Sequence, residues 1–334
     1  MLKALIPYQE HLQKVDKKIK KWTEDSTDAT KMASQHLLHA GGKRIRPLLV
    51  ILSADIFTFP QEKQEKIISL AAAVELLHMA TLTHDDIVDD SEKRRGQESI
   101  KEKWGEGGAV LIGDYMFVRA FNKFVECGSE QLVKEASKMT YKMCDGEVEQ
   151  LFCEYHPDMT ETDYYDRIRR KTALFFQFCC RAGARATGAE PEALEALGDY
   201  GRYMGMAFQI RDDLLDITGD KEKMGKPPGA DLKEGIITLP LLHLLNQKAQ
   251  AAKKARSLVE LGKEKELKAE KLNILRSLIV EHGGLDYAQE QVENFARSAI
   301  LALEREEIKA EREDKKNALT VLHEMAEHII ARER

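Results

Sequence analysis

The sequence predicts an all-α protein. Long stretches rich in Ala, Leu, Glu and Lys repeat at helical spacing, alternating β-branched runs are few, and there are only eight prolines in 334 residues. A chain of this length forms one large domain or two, and 43% hydrophobic content is enough for a substantial core. Five cysteines, Cys127, Cys144, Cys153, Cys179 and Cys180, include no CxxC pair and no zinc-like grouping with histidine, so they read as small core or surface residues in a reducing compartment. The net charge of −6 argues against a nucleic-acid surface. An anionic ligand would therefore need a local basic cluster. No continuous apolar run approaches the roughly 20 residues of a membrane span, and the opening MLKALIPYQEHLQK reads as an amphipathic helix, not a signal peptide. A cytoplasmic protein is expected.

Along the chain, the first landmark is AGGKRIRP, Ala40 to Pro47. Gly41 and Gly42 end the preceding helix, Pro47 biases Arg46 toward an extended backbone, and PLLVILSADIF then starts a helix with Pro47 in its first turn. Three cations crowd that N-terminus, where free N–H groups and the helix dipole favour an anion, and Lys43 and Arg46 are placed to close on a phosphate. The next helix is expected over roughly Lys66 to Asp90. It ends in DDIVD, Asp85 to Asp89, and the same spacing recurs in DDLLD, Asp212 to Asp216.

At about 100° per residue, Asp85 and Asp89 share a helix face, as do Asp212 and Asp216. Like charges at that spacing repel, and carboxylates near a helix C-terminus oppose the macrodipole. Two such clusters call for a compensating divalent cation. Thr81, His78 and Val74 precede Asp85 by four, seven and eleven residues and lie on its stripe. Arg94 and Arg95 follow and return positive charge, in the manner of diphosphate recognition shared between metal and guanidinium.

Gly107 to Phe124 reads as a helix packed on both sides, a core element or a dimer seam. In RRKTALFFQFCC, Lys171 and Thr172 stand at the mouth of an apolar run, and Gln209 shares a face with Asp212 and Asp216. KEKMGKPPGADLKEGIITLP is expected to be a polar loop carrying Lys226, Asp231 and Lys233. Helical spacing then continues to Arg334 with a break at Gly283–Gly284, and AEREDKKN is expected to be solvated. No Ser-His-Asp or Cys-His arrangement is evident.

GGKRIRP, HDDIVDD with RRG, GDY, KT, FQIRDDLLD and GKPPGADLKEG with TLP, in that order, resemble the trans-isoprenyl diphosphate synthases, or polyprenyl synthetases, from about Gly41 to Pro240. The resemblance implies one isoprenoid-synthase-type helical bundle over 1–334 around a deep central cavity, with the two aspartate motifs facing each other across its mouth. It implies a prenyltransferase that condenses isopentenyl diphosphate onto an allylic diphosphate such as farnesyl diphosphate. Asp85, Asp89, Asp212 and Lys171 would carry the chemistry, and the ion would be Mg2+ or Mn2+. Asp86 and Asp216 join the metal motifs, with Asp213, holding waters or outer contacts. Lys43, Arg46, His78 and Arg95 resemble the isopentenyl diphosphate site. Arg94, Lys171, Thr172, Gln209 and Lys226 resemble the allylic diphosphate site, with Lys233 a weaker member.

In this family bulky aromatics shortly before the first motif shorten the product. Here Ala80 and Thr81 are small, so Leu77, Val74 and the helix carrying Tyr115 to Phe124 are the next candidates for a stop. Val74 is about 16 Å along the helix from Asp85. A hexaprenyl or heptaprenyl product, the quinone side-chain class, is expected; geranylgeranyl or farnesyl diphosphate is the alternative. A homodimer is the family habit, and a catalytic subunit needing a small regulatory partner is a further reading. A class I terpene cyclase would not need the GGKRIRP corner, and a non-enzymatic partner subunit would be expected to have lost ligands; none is missing.

Overall fold

The computed structural model describes residues 5–57, 61–94, 96–127, 130–152, 154–219, 229–264, 267–308 and 316–331. The chain condenses into two compact units. The first is drawn from Met1–Ser137, Phe178–Gly198 and Leu303–Glu324, the second from Lys138–Gln177, Asp199–Ala302 and Met325–Arg334. Neither unit is a continuous piece of sequence.

The first unit begins with α1 (Ile6–Glu24), α2 (Asp28–His39), α3 (Ile45–Asp55), α4 (Gln61–Val88) and α5 (Ile100–Glu126). Thr27 and Ser99 cap α2 and α5 by accepting from the amides of Thr30 and Glu102. The central helix is α4, packed against α1, α3 and α5. Its residues from Leu70 to Leu77 are all buried, because a helix with partners on several sides is apolar all round. Glu62–Val88 is long and apolar enough to cross a membrane by length and composition, although Glu75 interrupts its apolar run as the sequence led one to expect, and 72% of its most apolar window is buried in protein. That burial accounts for its composition.

Two further expectations change here. The third helix starts at Ile45, so Arg46 is helical, not extended; Pro47 still falls in the first turn, where no intrahelical donor is lost. In α5, Gly105 (φ 77°, ψ 167°) breaks the helix, and the stretch after it is not packed on both sides: Leu111, Val118 and Val125 recur every seven residues and are exposed. Between α4 and α5 lies an element the all-α reading did not foresee, a short antiparallel hairpin of β1 (Lys93–Arg94) and β2 (Gln97–Glu98).

Next come α6 (Glu130–Phe152), α7 (Glu161–Ile168), a π-helical turn at Arg169–Ala173, α8 (Leu174–Thr187) and α9 (Pro191–Thr218). They are followed by α10 (Ala230–Glu234), α11 (Leu239–Leu245), α12 (Gln250–Glu264), α13 (Ala269–Glu281), α14 (Gly284–Leu303), a 3-10 turn (Glu306–Ile308) and α15 (Lys316–Ala331). In the second unit α11 packs on α7, α12 and α13. The break expected at Gly283–Gly284 is present, Gly283 taking φ 75°. The AEREDKKN stretch falls almost wholly outside the described residues. Of the five cysteines, Cys127, Cys179 and Cys180 are buried, Cys144 is exposed, and Cys153 is outside the described residues.

Candidate active site

In the first unit the basic corner divides by role. Arg44 adopts a left-handed backbone (φ 50°) and turns inward. Its Nε donates to Asp16 Oδ1 at 2.9 Å and its Nη1 to Glu75 Oε1 at 2.8 Å, with Arg44 and Glu75 both buried. One of the three cations at this helix start therefore belongs to the fold. Lys43 is exposed. Arg46 Nη1 is 3.0 Å from His78 Nε2 on α4. A guanidinium has only donors, so His78 must accept through Nε2, which leaves the ring proton on Nδ1. Two residues 32 apart in sequence are thus brought together. Arg95 lies outside the described residues.

The first aspartate motif closes α4. Asp85 is half-buried and Asp89 is exposed just beyond the last turn, with its amide still donating to the Asp85 carbonyl at 2.8 Å. Asp86 points the other way and is fully buried. The hairpin carries Arg94 back to it, Nε at 2.8 Å and Nη2 at 2.5 Å from the same Oδ1, while Oδ2 has no hydrogen-bond partner among the described residues. Both expectations for this pair shift: Asp86 is held by a protein cation, and Arg94 directs its donors at Asp86. The reason is electrostatic, since a carboxylate buried this far needs a counter-charge or close hydrogen-bond donors, and the guanidinium supplies both.

Sequence reasoning overlooked His84. Its ring covers Gly113, where a Cβ would come within 2.2 Å of Nε2, and Nε2 is 3.5 Å from Asp114 Oδ1. The Gly-Asp pair of GDY is a seat for the histidine beside Asp85. A histidine directly before the motif and a glycine inside an apolar helix were the available signals.

Behind the motif, Val74, Leu77 and Ala80 are buried and Thr81 is half-buried, its hydroxyl donating to the His78 carbonyl at 2.9 Å. On α5, Phe117 stacks on Phe121 at 4.9 Å between centroids, and Phe121 meets Phe124 edge-on at 5.8 Å.

In the second unit the motif lies within α9, which continues to Thr218. Asp212 is exposed, whereas Asp213 and Asp216 are buried. Asp216 Oδ1 and Oδ2 accept from the amides of Ala230 and Asp231, each at 3.2 Å, and its carbonyl accepts from Gly229 at 2.7 Å. Asp216, expected among the metal ligands, anchors the start of α10. Asp213 Oδ1 accepts from Gln209 Nε2 at 2.9 Å, and Oδ2 from the phenol of Tyr164 at 2.7 Å. Thr172 in turn donates its hydroxyl to Gln209 Oε1 at 2.5 Å. Gln209 and Thr172, expected to contact a diphosphate, thus direct these groups at one another and at the motif.

The π-turn makes that contact geometrically feasible. It carries Lys171 and Thr172 and packs closely against Gly205, where a Cβ would stand 2.6 Å from Ala173 Cα. Lys171 Nζ is 3.4 Å from Glu147 Oε2 and remains 37% exposed. A cleft of about 60 Å³ is lined by Lys171, Gln209, Asp213 and Asp231, together with Arg167 and Thr238. Burial, reinforced by the carboxylates of Asp216 and Asp213, pushes Asp231 up to about 8, and the Lys171 charge partly offsets this. Burial also raises Asp213, against the pull of Gln209 and Tyr164. Lys226 is outside the described residues, and Lys233 is exposed on α10.

The carboxylate oxygens here suit a hard divalent cation, and those of Asp216 and Asp213 add to the burial that raises Asp231. Among the described residues no three His, Cys, Asp or Glu side chains converge into a metal-holding group. Mg2+ needs no such cage, since it typically takes one or two carboxylates and completes its shell with substrate phosphates and water.

A model of the family described as Polyprenyl synthetase matches residues 27–277. Heptaprenyl diphosphate synthase component 2 of Geobacillus stearothermophilus is 41% identical over 246 residues, 73% of this chain and 76% of that protein. The short chain isoprenyl diphosphate synthase of Methanothermobacter thermautotrophicus is 35% identical over 340 residues, 100% of both. Among solved structures, the polyprenyl synthase from Caulobacter crescentus complexed with calcium and isoprenyl diphosphate superposes with a TM-score of 0.89 at 31% identity, covering 99% of this chain and 97% of that one.

Proposed function

The chain belongs to the polyprenyl synthetase family and is a prenyltransferase, and on that premise we propose that it condenses isopentenyl diphosphate onto an allylic diphosphate such as farnesyl diphosphate to make an all-trans hexaprenyl or heptaprenyl diphosphate for quinone side chains. The observation that carries the reading is the split within each motif. In both, the middle aspartate is locked into protein, Asp86 by Arg94 and Asp213 by Tyr164, while the first is more open, Asp85 half-buried and Asp212 exposed.

Asp85, Asp89 and Asp212 would hold Mg2+, or Mn2+, and the bound cation supplies charge neutralisation for a departing diphosphate. Lys171 on the π-turn and Lys226 would bind the leaving diphosphate, with Thr172 and Gln209 fixing its approach. Lys43, Arg46, His78 and Arg95 hold isopentenyl diphosphate, whose alkene attacks the allylic carbon as the first diphosphate leaves; the resulting cation then gives up a proton to the released diphosphate. Buried Val74, Leu77 and Ala80 exclude water from the growing chain. Its length would be set where that face of α4 meets the Phe117–Phe121 stack on the adjoining helix.

Assay of the purified chain with farnesyl diphosphate, isopentenyl diphosphate and Mg2+ should give a six- or seven-unit product, and Ala80→Phe or Thr81→Phe should shorten it. An unchanged product in both variants would refute this account of chain length. Two assemblies are open to the same assay. The exposed stripe of Leu111, Val118 and Val125 suits a homodimer seam, whereas the relative named component 2 supports a heteromeric enzyme, silent without a small regulatory subunit. Turnover by the chain alone would exclude the second. A cytoplasmic location remains part of this proposal; among the described residues the one span-length apolar helix, Glu62–Val88, is mostly buried in protein.

A further inference from the structure

We propose that Tyr164 is a positioning residue for the second aspartate motif: its phenol fixes Asp213 and, through Gln209 and Thr172, sets the π-turn that presents Lys171. This rests on the diphosphate reading above. Tyr164 is completely buried on α7. The base of α7 is rigid, because Thr160 and Asp163 form a reciprocal capping box at its first turn. From that base the phenol donates to Asp213 Oδ2, and the Arg167 guanidinium lies 5.4 Å from the ring centroid.

The hydrogen bonds converge on Asp213. Thr172 donates to Gln209, Gln209 donates to Asp213 Oδ1, and Tyr164 donates to Oδ2. Asp213 is therefore tied directly to α7 and, through Gln209 of its own helix, to the π-turn that directly follows α7. Because those two are contiguous in the chain, the phenol and the Thr172 hydroxyl jointly fix the angle at which the π-turn meets α9. A missing phenol oxygen leaves Oδ2 buried without this donor. The carboxylate then turns to share the donor that remains, and Gln209, Thr172 and the neighbouring Lys171 move with it.

The adjacent phenol is an internal control. Tyr165 shares the helix and packs on Phe295 at 5.5 Å, but its hydroxyl lies near Glu161 and Tyr287, outside the motif. Tyr164→Phe keeps ring and packing and deletes only the oxygen. In calorimetric titration with inorganic diphosphate and MnCl2, Tyr164→Phe should bind about tenfold more weakly than the parent and Tyr165→Phe within about twofold. In steady-state assays the KM for farnesyl diphosphate should rise for Tyr164→Phe while that for isopentenyl diphosphate stays put.

Parent-like binding by Tyr164→Phe, an equal loss in Tyr165→Phe, or an equal rise in both KM values would overturn the proposal. A parent chain that neither binds diphosphate nor condenses the two substrates would instead overturn the functional reading, and this proposal with it. Should Tyr164→Phe fail to fold, 3-fluorotyrosine placed at 164 in the otherwise unchanged protein serves. Its fluorine resonance should shift on adding Mg2+ and diphosphate, while a label at 165 should not; a silent label at 164 refutes the link.

Discussion

The two aspartate motifs have the same carboxylate spacing and different surroundings. In the first, buried Asp86 is matched by a full cation, Arg94, that a hairpin returns from eight residues downstream. In the second, buried Asp213 is held by two neutral donors, one of them 49 residues away, and burial raises its proton affinity. The last aspartates differ as well: Asp89 is exposed past the end of α4, whereas Asp216 is buried within α9 and accepts the first amides of α10. Equal spacing fixes which carboxylates share a face. The packing around that face then decides which of them is available to a cation.

The largest test of the comparison concerns what the motifs share. Asp85→Ala and Asp212→Ala should each cut condensation by about a thousandfold or more while leaving the far-ultraviolet helix signal intact. Near-normal turnover of either in Mg2+ would end the claim that both first aspartates hold the ion.

A sharper test separates the middle aspartates. Arg94→Ala strands a buried carboxylate and should lower stability by about 3 kcal/mol, read as a fall in the urea midpoint. Combining it with Asp86→Ala should recover part of the loss. If the single variant is as stable as the parent, the Asp86–Arg94 pair is not a structural charge pair. Smaller in effect, Gly113→Ala would force a methyl group into the His84 ring and should reduce turnover by about tenfold through the first motif alone. Unchanged kinetics would remove His84 from that motif's support. The mildest change, Thr172→Val, deletes one donor at the far end of the Asp213 chain and should cost only about fivefold in kcat/KM. A loss as deep as that of Asp212→Ala would mean that Thr172 acts directly on substrate.

Much of the architecture was readable in the chain because it depends on local order. Helical periodicity, the Gly41–Gly42 and Gly283 breaks and the twice-written motif are all short-range patterns. The errors were also local rules applied where packing prevailed. Proline was expected to hold Arg46 extended, but the apolar run behind it drew the helix start back to Ile45. The hairpin escaped notice because two residues per strand are too few to show alternation.

For the site, sequence alone determined residue type and spacing: paired carboxylates at helical intervals, a basic corner at a helix start, small residues at Ala80 and Thr81. Those follow from helix geometry, which is fixed by neighbours within a few positions. Only the tertiary structure decided that Arg44 turns inward while Arg46 meets His78, that Arg94 belongs to Asp86, and that Tyr164 reaches Asp213. Each of those joins groups from different elements, and burial forces the choice, since a charge or donor removed from water must find its partner wherever the fold has placed one.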